Sequence, residues 1–154
     1  MSIDEIIEYI EAMGGVLTLR PAPGDGSPEV AWGDVFLYYA PDGTVPTTTQ
    51  PFATIVTKNY PNDTTSRLDR PGVFRLNINV GKDAFTTWTG HSPRETSDHP
   101  VDASRLDTVV PHPVYATAGW LAVVAPGPHT EAAITELLRT AHTRARTRYT
   151  RHAG

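Results

Sequence analysis

The segment Pro51–Val80, PFATIVTKNYPNDTTSRLDRPGVFRLNINV, constrains this chain more than any other stretch. It reads as two strands joined by a long polar connection. Phe52–Lys58 is rich in β-branched residues, which fit a pleated, half-buried surface. Gly72–Val80 alternates: Phe74, Leu76, Ile78 and Val80 share one face, while Arg75, Asn77 and Asn79 share the other. The connection Asn59–Pro71 is too long for a tight hairpin, and loops of this length in compact domains are often functional.

The flanking sequence supplies helices at both ends. Ser2–Met13 is a predicted helix: Ser2 and Glu5 form a capping box, and Ile3, Ile6, Ile7, Ile10 and Met13 make one apolar stripe. Gly14-Gly15 ends it. Val16–Leu19 reads as a short strand, and the proline- and glycine-rich residues 20–28 as a loop. Glu29–Ala40 is a strand pair or one bent strand, with Gly33-Asp34 as a tight turn or bulge. Pro41–Gly43 is a turn, and Thr44–Gln50 a polar connection. Lys82–Trp88 reads as a short helix, Gly90–Pro100 as a polar loop, and Asp102–Val109 as a segment holding one helical turn. Pro111-His112-Pro113 forces an extended path. Gly119–Ala125 has the composition of a buried strand. Thr130 caps a last helix from Glu131 to about Tyr149, whose core face is Ile134, Leu137, Leu138, Ala141 and Ala145. Consecutive strands linked by turns, with helices at the ends, indicate a single α+β domain over residues 1–154. Its sheet is expected to be mostly antiparallel, of about five or six strands, flanked by the N-terminal and C-terminal helices.

Composition narrows the function classes. A chain of 154 residues with 39% hydrophobic residues suits one domain with a real core. The absence of cysteine excludes disulfides and thiolate metal sites and fits a reducing compartment. No apolar run approaches the roughly 20 residues of a membrane span, so no membrane partner is expected. The N-terminus is acidic where a secretory signal would be basic, so a cytoplasmic location is expected. Neither a Gly-x-Ser-x-Gly elbow nor a glycine-rich phosphate-binding pattern occurs, and no cofactor is expected. His91, Asp98 and His99 match no recurring ligand spacing and read as a solvated loop, so no metal is expected. The net charge of −4 is unevenly spread: residues 1–66 carry nine acids, whereas residues 139–154 carry five arginines and no acid.

The residues that stand out chemically are Lys58, Asp69, Arg70, Arg75 and His112. Lys58 ends an apolar strand, where a cation faces either a cleft or solvent. Arg75 lies mid-strand and requires solvent or an acidic partner, for which Asp69 and Asp34 are the candidates. His112, held between two prolines, has a fixed backbone and suits an acid, a base or a hydrogen-bond donor, or simply fills a turn. These cations read either as structural ion pairs or as a cationic pocket for a carboxylate or other anion. Trp32 and Trp120 are core residues by pattern and also fit the wall of such a pocket. The preferred expectation is a small organic molecule bound in a cationic, aromatic cleft beside the central sheet. Two other classes stay open: a small enzyme using His112 as acid or base, and a nucleic-acid module using Arg139, Arg144, Arg146, Arg148 and Arg151. The acidic net charge disfavours the latter.

Several segments resemble a known family. Phe52–Lys58, Tyr60-Pro61, the proline-rich turn, Gly119–Val123 and the long terminal helix follow the order of the MmcQ/YjbR-like family. Glu29–Asp34, Leu68–Ile78 and His112–Tyr115 are similar to a set of actinomycete proteins of this length. The resemblance implies a small α+β domain, compared by analogy with double-wing DNA-binding modules and in some members encoded among natural-product biosynthesis genes. It brings no general catalytic residue set. The His-Trp pair usual before the last strand is absent, since Gly119 precedes Trp120.

Overall fold

The computed structural model of the protein describes residues 1–98 and 100–153, without the side chains of residues 96–98 and 153. His99, and the Asp98 side chain beside it, therefore lie outside what is described. Helix α1 (Ile3–Glu11) starts at the expected capping box, in which Ser2 Oγ accepts from the Glu5 N–H and Glu5 returns a bond to the Ser2 N–H. Strands β1 (Val16–Leu19), β2 (Val35–Tyr39), β3 (Ala53–Val56) and β4 (Arg75–Asn79) form an antiparallel meander. Helix α2 (Gly81–Thr89) leads to β5 (Val109–Pro111) and β6 (Trp120–Val124). Strand β6 inserts between β4 and β5, giving one six-stranded antiparallel sheet in the order β1-β2-β3-β4-β6-β5. Helix α3 (Glu131–Ala153) then packs back across β2 and β4. The protein is α+β, with the sheet and helices arranged as the pattern implies.

The core lies between the sheet and α1 with α3. Leu37, Ile55, Leu76, Ile78, Leu121 and Val123 point from the strands toward Ile6 and Ile10 of α1 and Ile134 and Leu138 of α3. Each is completely buried, and at about 25 cal/mol per Å² of apolar surface this layer is the main source of stability. All five residues of β6 are buried, because β6 has neighbours on both edges and is covered on both faces.

Three local expectations are corrected. Glu29–Ala31 is a 3-10 turn rather than a strand: Pro28 fixes the backbone before it, and the Ala31 and Trp32 N–H groups bond back to the Pro28 and Glu29 carbonyls. Residues 102–109 contain no helix; Asp107 instead turns with positive φ and accepts from the N–H groups of Gly127, His129 and Thr130. The Thr130 hydroxyl donates to that same carboxylate, so Asp107 holds the start of α3 where a threonine cap was expected. Trp88 is 44% exposed although Phe85, on the same short helix, is fully buried. Pro111 is tolerated in β5 because β5 is an edge strand.

Candidate functional site

The sheet face away from the helices carries the polar stripe of β4. There the connection Asn59–Pro71 folds back over the strands, and Leu68 packs on Val56 and Val124. Arg75, only 2% exposed, meets the loop from below. Its Nη1 and Nη2 donate to the two carboxylate oxygens of Asp63 at 2.9 and 2.6 Å. Nη1 also donates to Ser66 Oγ at 2.9 Å, and Nε to Asn77 Oδ1 at 2.7 Å. Burial acts to raise the Asp63 pKa, but the hydrogen bonds and charge of Arg75 outweigh it and hold the carboxyl below its usual range. The partner of Arg75 is thus Asp63, neither Asp69 nor Asp34. Asp69 is exposed.

His112, 3% exposed, lies beside this pair with Nε2 3.3 Å from Arg75 Nη2. Its Nδ1 accepts from the backbone N–H groups of Val114 and Tyr115, both at 3.0 Å. A neutral ring so engaged carries its proton on Nε2, so the approach to Arg75 brings two N–H groups together. A protonated ring would add a second buried cation. Burial, and then the Arg75 charge, accordingly push the His112 pKa down to about 3, against the opposing pull of Asp63. Neither ring nitrogen offers a free lone pair. Tyr115 and Trp120 cover the ring at centroid distances of 5.0 and 6.3 Å.

A second buried carboxylate adjoins the first. Asp34 Oδ1 accepts from the Thr57 N–H, the Thr57 hydroxyl and Lys58 Nζ, at 2.8, 2.9 and 2.9 Å. Its Oδ2 accepts from the Tyr60 hydroxyl. Lys58 Nζ also donates to the Trp32 carbonyl at 2.7 Å. Burial, and then the hydrogen bond to Asp34, raise the Tyr60 pKa well above its ordinary value. Tyr60 and Asp63 exchange backbone hydrogen bonds, so the two networks are joined through the loop. Trp32 is half-buried, and its Nε1 has no hydrogen-bond partner among the described residues.

The structure therefore brings Arg75, His112 and Trp120 together and places Lys58 with Trp32 in the neighbouring network. Arg70 does a different job: its guanidinium donates to the carbonyls of Ser66, Arg67 and Ser104, tying the loop to the 102–107 segment. The combined arrangement is closed. Its charges face one another and most of its donors and acceptors hold the loop, leaving the Trp32 Nε1–H without a partner among the described residues and the His112 Nε2–H facing Arg75.

An open concavity lies elsewhere. A cleft of about 780 Å³ separates the β2–β3 connection from the C-terminal half of α3. On the helix side it is lined by Ala141, Arg144, Ala145, Arg148, Tyr149 and His152, which share one face at i, i+3 and i+4 spacing. The opposite wall is Thr44–Gln50, with the hydroxyls of Thr44, Thr47, Thr48 and Thr49. Tyr38, Tyr39, Asp42, Phe52 and Asn79 also line it. Tyr39 stands edge-on to both Tyr149 and His142, each 5.4 Å between centroids. His142 is fixed in turn by donating Nε2–H to the Gly14 carbonyl at 2.8 Å. The two alanines leave room between the larger side chains.

Arg144 reaches across the end of α2. Its Nη1 lies 3.4 and 3.5 Å from the backbone and side-chain oxygens of Asn79. A Cβ at position 81 would come within 2.4 Å of the guanidinium, so Gly81, at φ +83°, permits this approach. Burial, then the like charge of Arg148, lower the Arg144 pKa, while Asp83 opposes the shift. Neither Arg144 nor Arg148 forms an ion pair with a carboxylate among the described residues.

Sequence reasoning missed this cleft. It assigns the arginines of α3 to a nucleic-acid alternative and reads Thr44–Gln50 as a polar connection. The available signal was the pairing of Ala141 and Ala145 with Arg144, Arg148 and His152 on one face. What covers that face depends on the tertiary fold.

The chain matches, over residues 1–154, the family described as "Family of unknown function (DUF6194)", and it belongs to that family. No curated protein and no solved structure matches it. Among the described residues no helix is long and apolar enough to cross a membrane.

Proposed function

We propose that the protein binds a small organic molecule in the cleft between the β2–β3 connection and α3. The observation that carries this reading is the cleft itself. Its volume of about 780 Å³ lies within the 300–1,000 Å³ of small-molecule sites. Its lining combines aromatic rings with many polar groups, more of them than in a typical apolar site. It stands beside the sheet, in keeping with the class of site expected from the sequence, but on different residues. Lys58, Arg75 and His112 then serve the scaffold: the two cations are paired with Asp34 and Asp63, and the His112 Nδ1 accepts from the backbone. The cysteine-free composition fits a cytoplasmic setting for this role. The MmcQ/YjbR resemblance, on which the family match is silent, adds an accessory part in natural-product metabolism to the same reading.

The test is a thermal-shift screen of a broad metabolite panel, repeated on Tyr149→Ala. A ligand at 100 times its Kd stabilises the native state by about 2.7 kcal/mol. The expected result is a hit whose stabilisation is lost in Tyr149→Ala. Hits that stabilise the variant equally, or no hit from the panel, would overturn the reading.

A further inference from the structure

The two arginines on the cleft wall say more about the ligand than the cleft volume does. Arg144 and Arg148 are four residues apart on one helix face, so their guanidiniums are neighbours. Like charges at that spacing repel, and Arg148 disfavours the charge on Arg144. Among the described residues the oxygens in hydrogen-bond reach of Arg144 Nη1 are those of Asn79, at long distances of 3.4 and 3.5 Å, and Asp83 acts on the charge from beyond ion-pair distance. The cleft contributes one carboxylate, Asp42, which accepts from the Thr44 N–H in its own turn and pairs with neither arginine. The position is thus a pair of forked cations, one partly desolvated, beside aromatic rings and threonine hydroxyls. Guanidinium forks match the geometry of carboxylate and phosphate oxygens bidentately.

We infer that the cleft takes a planar ligand bearing an oxyanion, whose anionic end is held between Arg144 and Arg148 and whose ring lies against Tyr39 and Tyr149. This rests on the small-molecule reading above and narrows it to a chemical class. A carboxylate and a phosphate both satisfy the forks. The two rings, set at 70° to one another, supply an apolar corner against which an aromatic or conjugated body can pack. His152, one turn beyond Arg148 on the same face, adds a third donor toward the mouth.

The probes are 2-naphthoate and 2-naphthyl phosphate, compared with the neutral 2-naphthamide, each titrated to millimolar concentration by protein-observed NMR. They are tested on the full chain and on Arg144→Gln, Arg148→Gln and Arg146→Gln. Arg146→Gln makes the same charge change at a residue that does not line the cleft, and a thermal melt of each variant establishes folding. The inference expects at least one anion to shift cleft resonances and bind about tenfold or more tighter than the amide. That advantage should disappear in Arg144→Gln and Arg148→Gln and persist in Arg146→Gln. The stronger of the two anions identifies carboxylate or phosphate. If the amide binds as well as the anions and the arginine variants change nothing, the class is wrong while the cleft reading survives. If no probe perturbs the cleft, both fail. If single-stranded or duplex DNA binds with a steep salt dependence and all three arginine variants weaken it alike, the arginines serve a nucleic-acid face and the inference is overturned.

Discussion

Arg75 and Arg144 are the same side chain in opposite circumstances. Arg75 is buried under a loop, with Asp63, Ser66 and Asn77 around its guanidinium. Arg144 stands at a cleft wall with another arginine for a neighbour, distant amide oxygens in reach, and Asp83 acting only from beyond ion-pair distance. A buried charge with a complete partner set is architecture: removing any part exposes the cost of the rest. A clustered charge without a counterion leaves room for one from outside. The polar face of β4 therefore closes the fold, and the polar face of α3 leaves it open.

The largest test of this contrast is Asp63→Ala. It strands the Arg75 guanidinium in a buried site, and breaking a buried pair in this way costs about 3–5 kcal/mol. Urea unfolding should show that loss with an unchanged slope. The double variant Asp63→Ala with Arg75→Met should recover a large part of it, because the stranded charge is gone. A single variant within 1 kcal/mol of the parent would remove the architectural reading.

Acid should open the same network, and the sign follows from the pKa directions. His112 has a folded pKa of about 3 against an ordinary 6.5, so between these values the unfolded chain binds the proton and the native chain does not. Stability therefore rises with pH through this window and is lost as pH falls below about 6.5, by roughly 1.4 kcal/mol per unit at most. Asp63, also depressed, contributes stability that is present above its unfolded pKa of about 3.9 and lost as pH falls through the folded value. Unfolding free energies measured from pH 8 to pH 4 should decline, and His112→Asn should flatten the decline above pH 4. An equally steep decline in His112→Asn would assign it to other groups.

Lys58 should give an intermediate result. It is half-buried and shares Asp34 with Thr57 and Tyr60, so Lys58→Met leaves the carboxylate three other donors. The expected loss is about 1–2 kcal/mol, within the range for hydrogen bonds to charged groups after allowance for solvent screening. A loss as large as that of Asp63→Ala would mean that the two networks act as one unit through Tyr60.

The sequence revealed the closed region better than the open one, for a physical reason. The alternation of Gly72–Val80 alone put Arg75 and Asn77 opposite Leu76 and Ile78, and a mid-strand arginine already required a partner. The identity of that partner was not legible. Asp63 reaches Arg75 because the 59–71 loop folds back through the Tyr60–Asp63 bridge, and loop geometry leaves no periodic trace. Five of the six strands followed from period and turns; β5 did not, because Asp102–Val109 read as holding a helical turn, and neither did residues 29–31, where Val30 and Trp32 look β-forming yet Val30 stays exposed outside the sheet. The cleft needs two segments almost a hundred residues apart, Thr44–Gln50 and 141–152, and each looks ordinary alone.

The smallest expected effect is the one that separates the two arginines most sharply. Without ligand, Arg148→Gln removes a cation that repels Arg144 and has no carboxylate partner among the described residues. Like charges four residues apart on a helix are destabilising by about 0.2–0.5 kcal/mol, so stability should stay level or rise by that amount. The gain should shrink as salt is raised to 1 M, where screening reaches down to about 3 Å. Paired thermal melts at low and high salt, with Arg146→Gln alongside, measure it. A loss of 1 kcal/mol or more would show that Arg148 holds the helix to its neighbours as Arg75 holds the loop. The contrast between the closed and open regions would then fall.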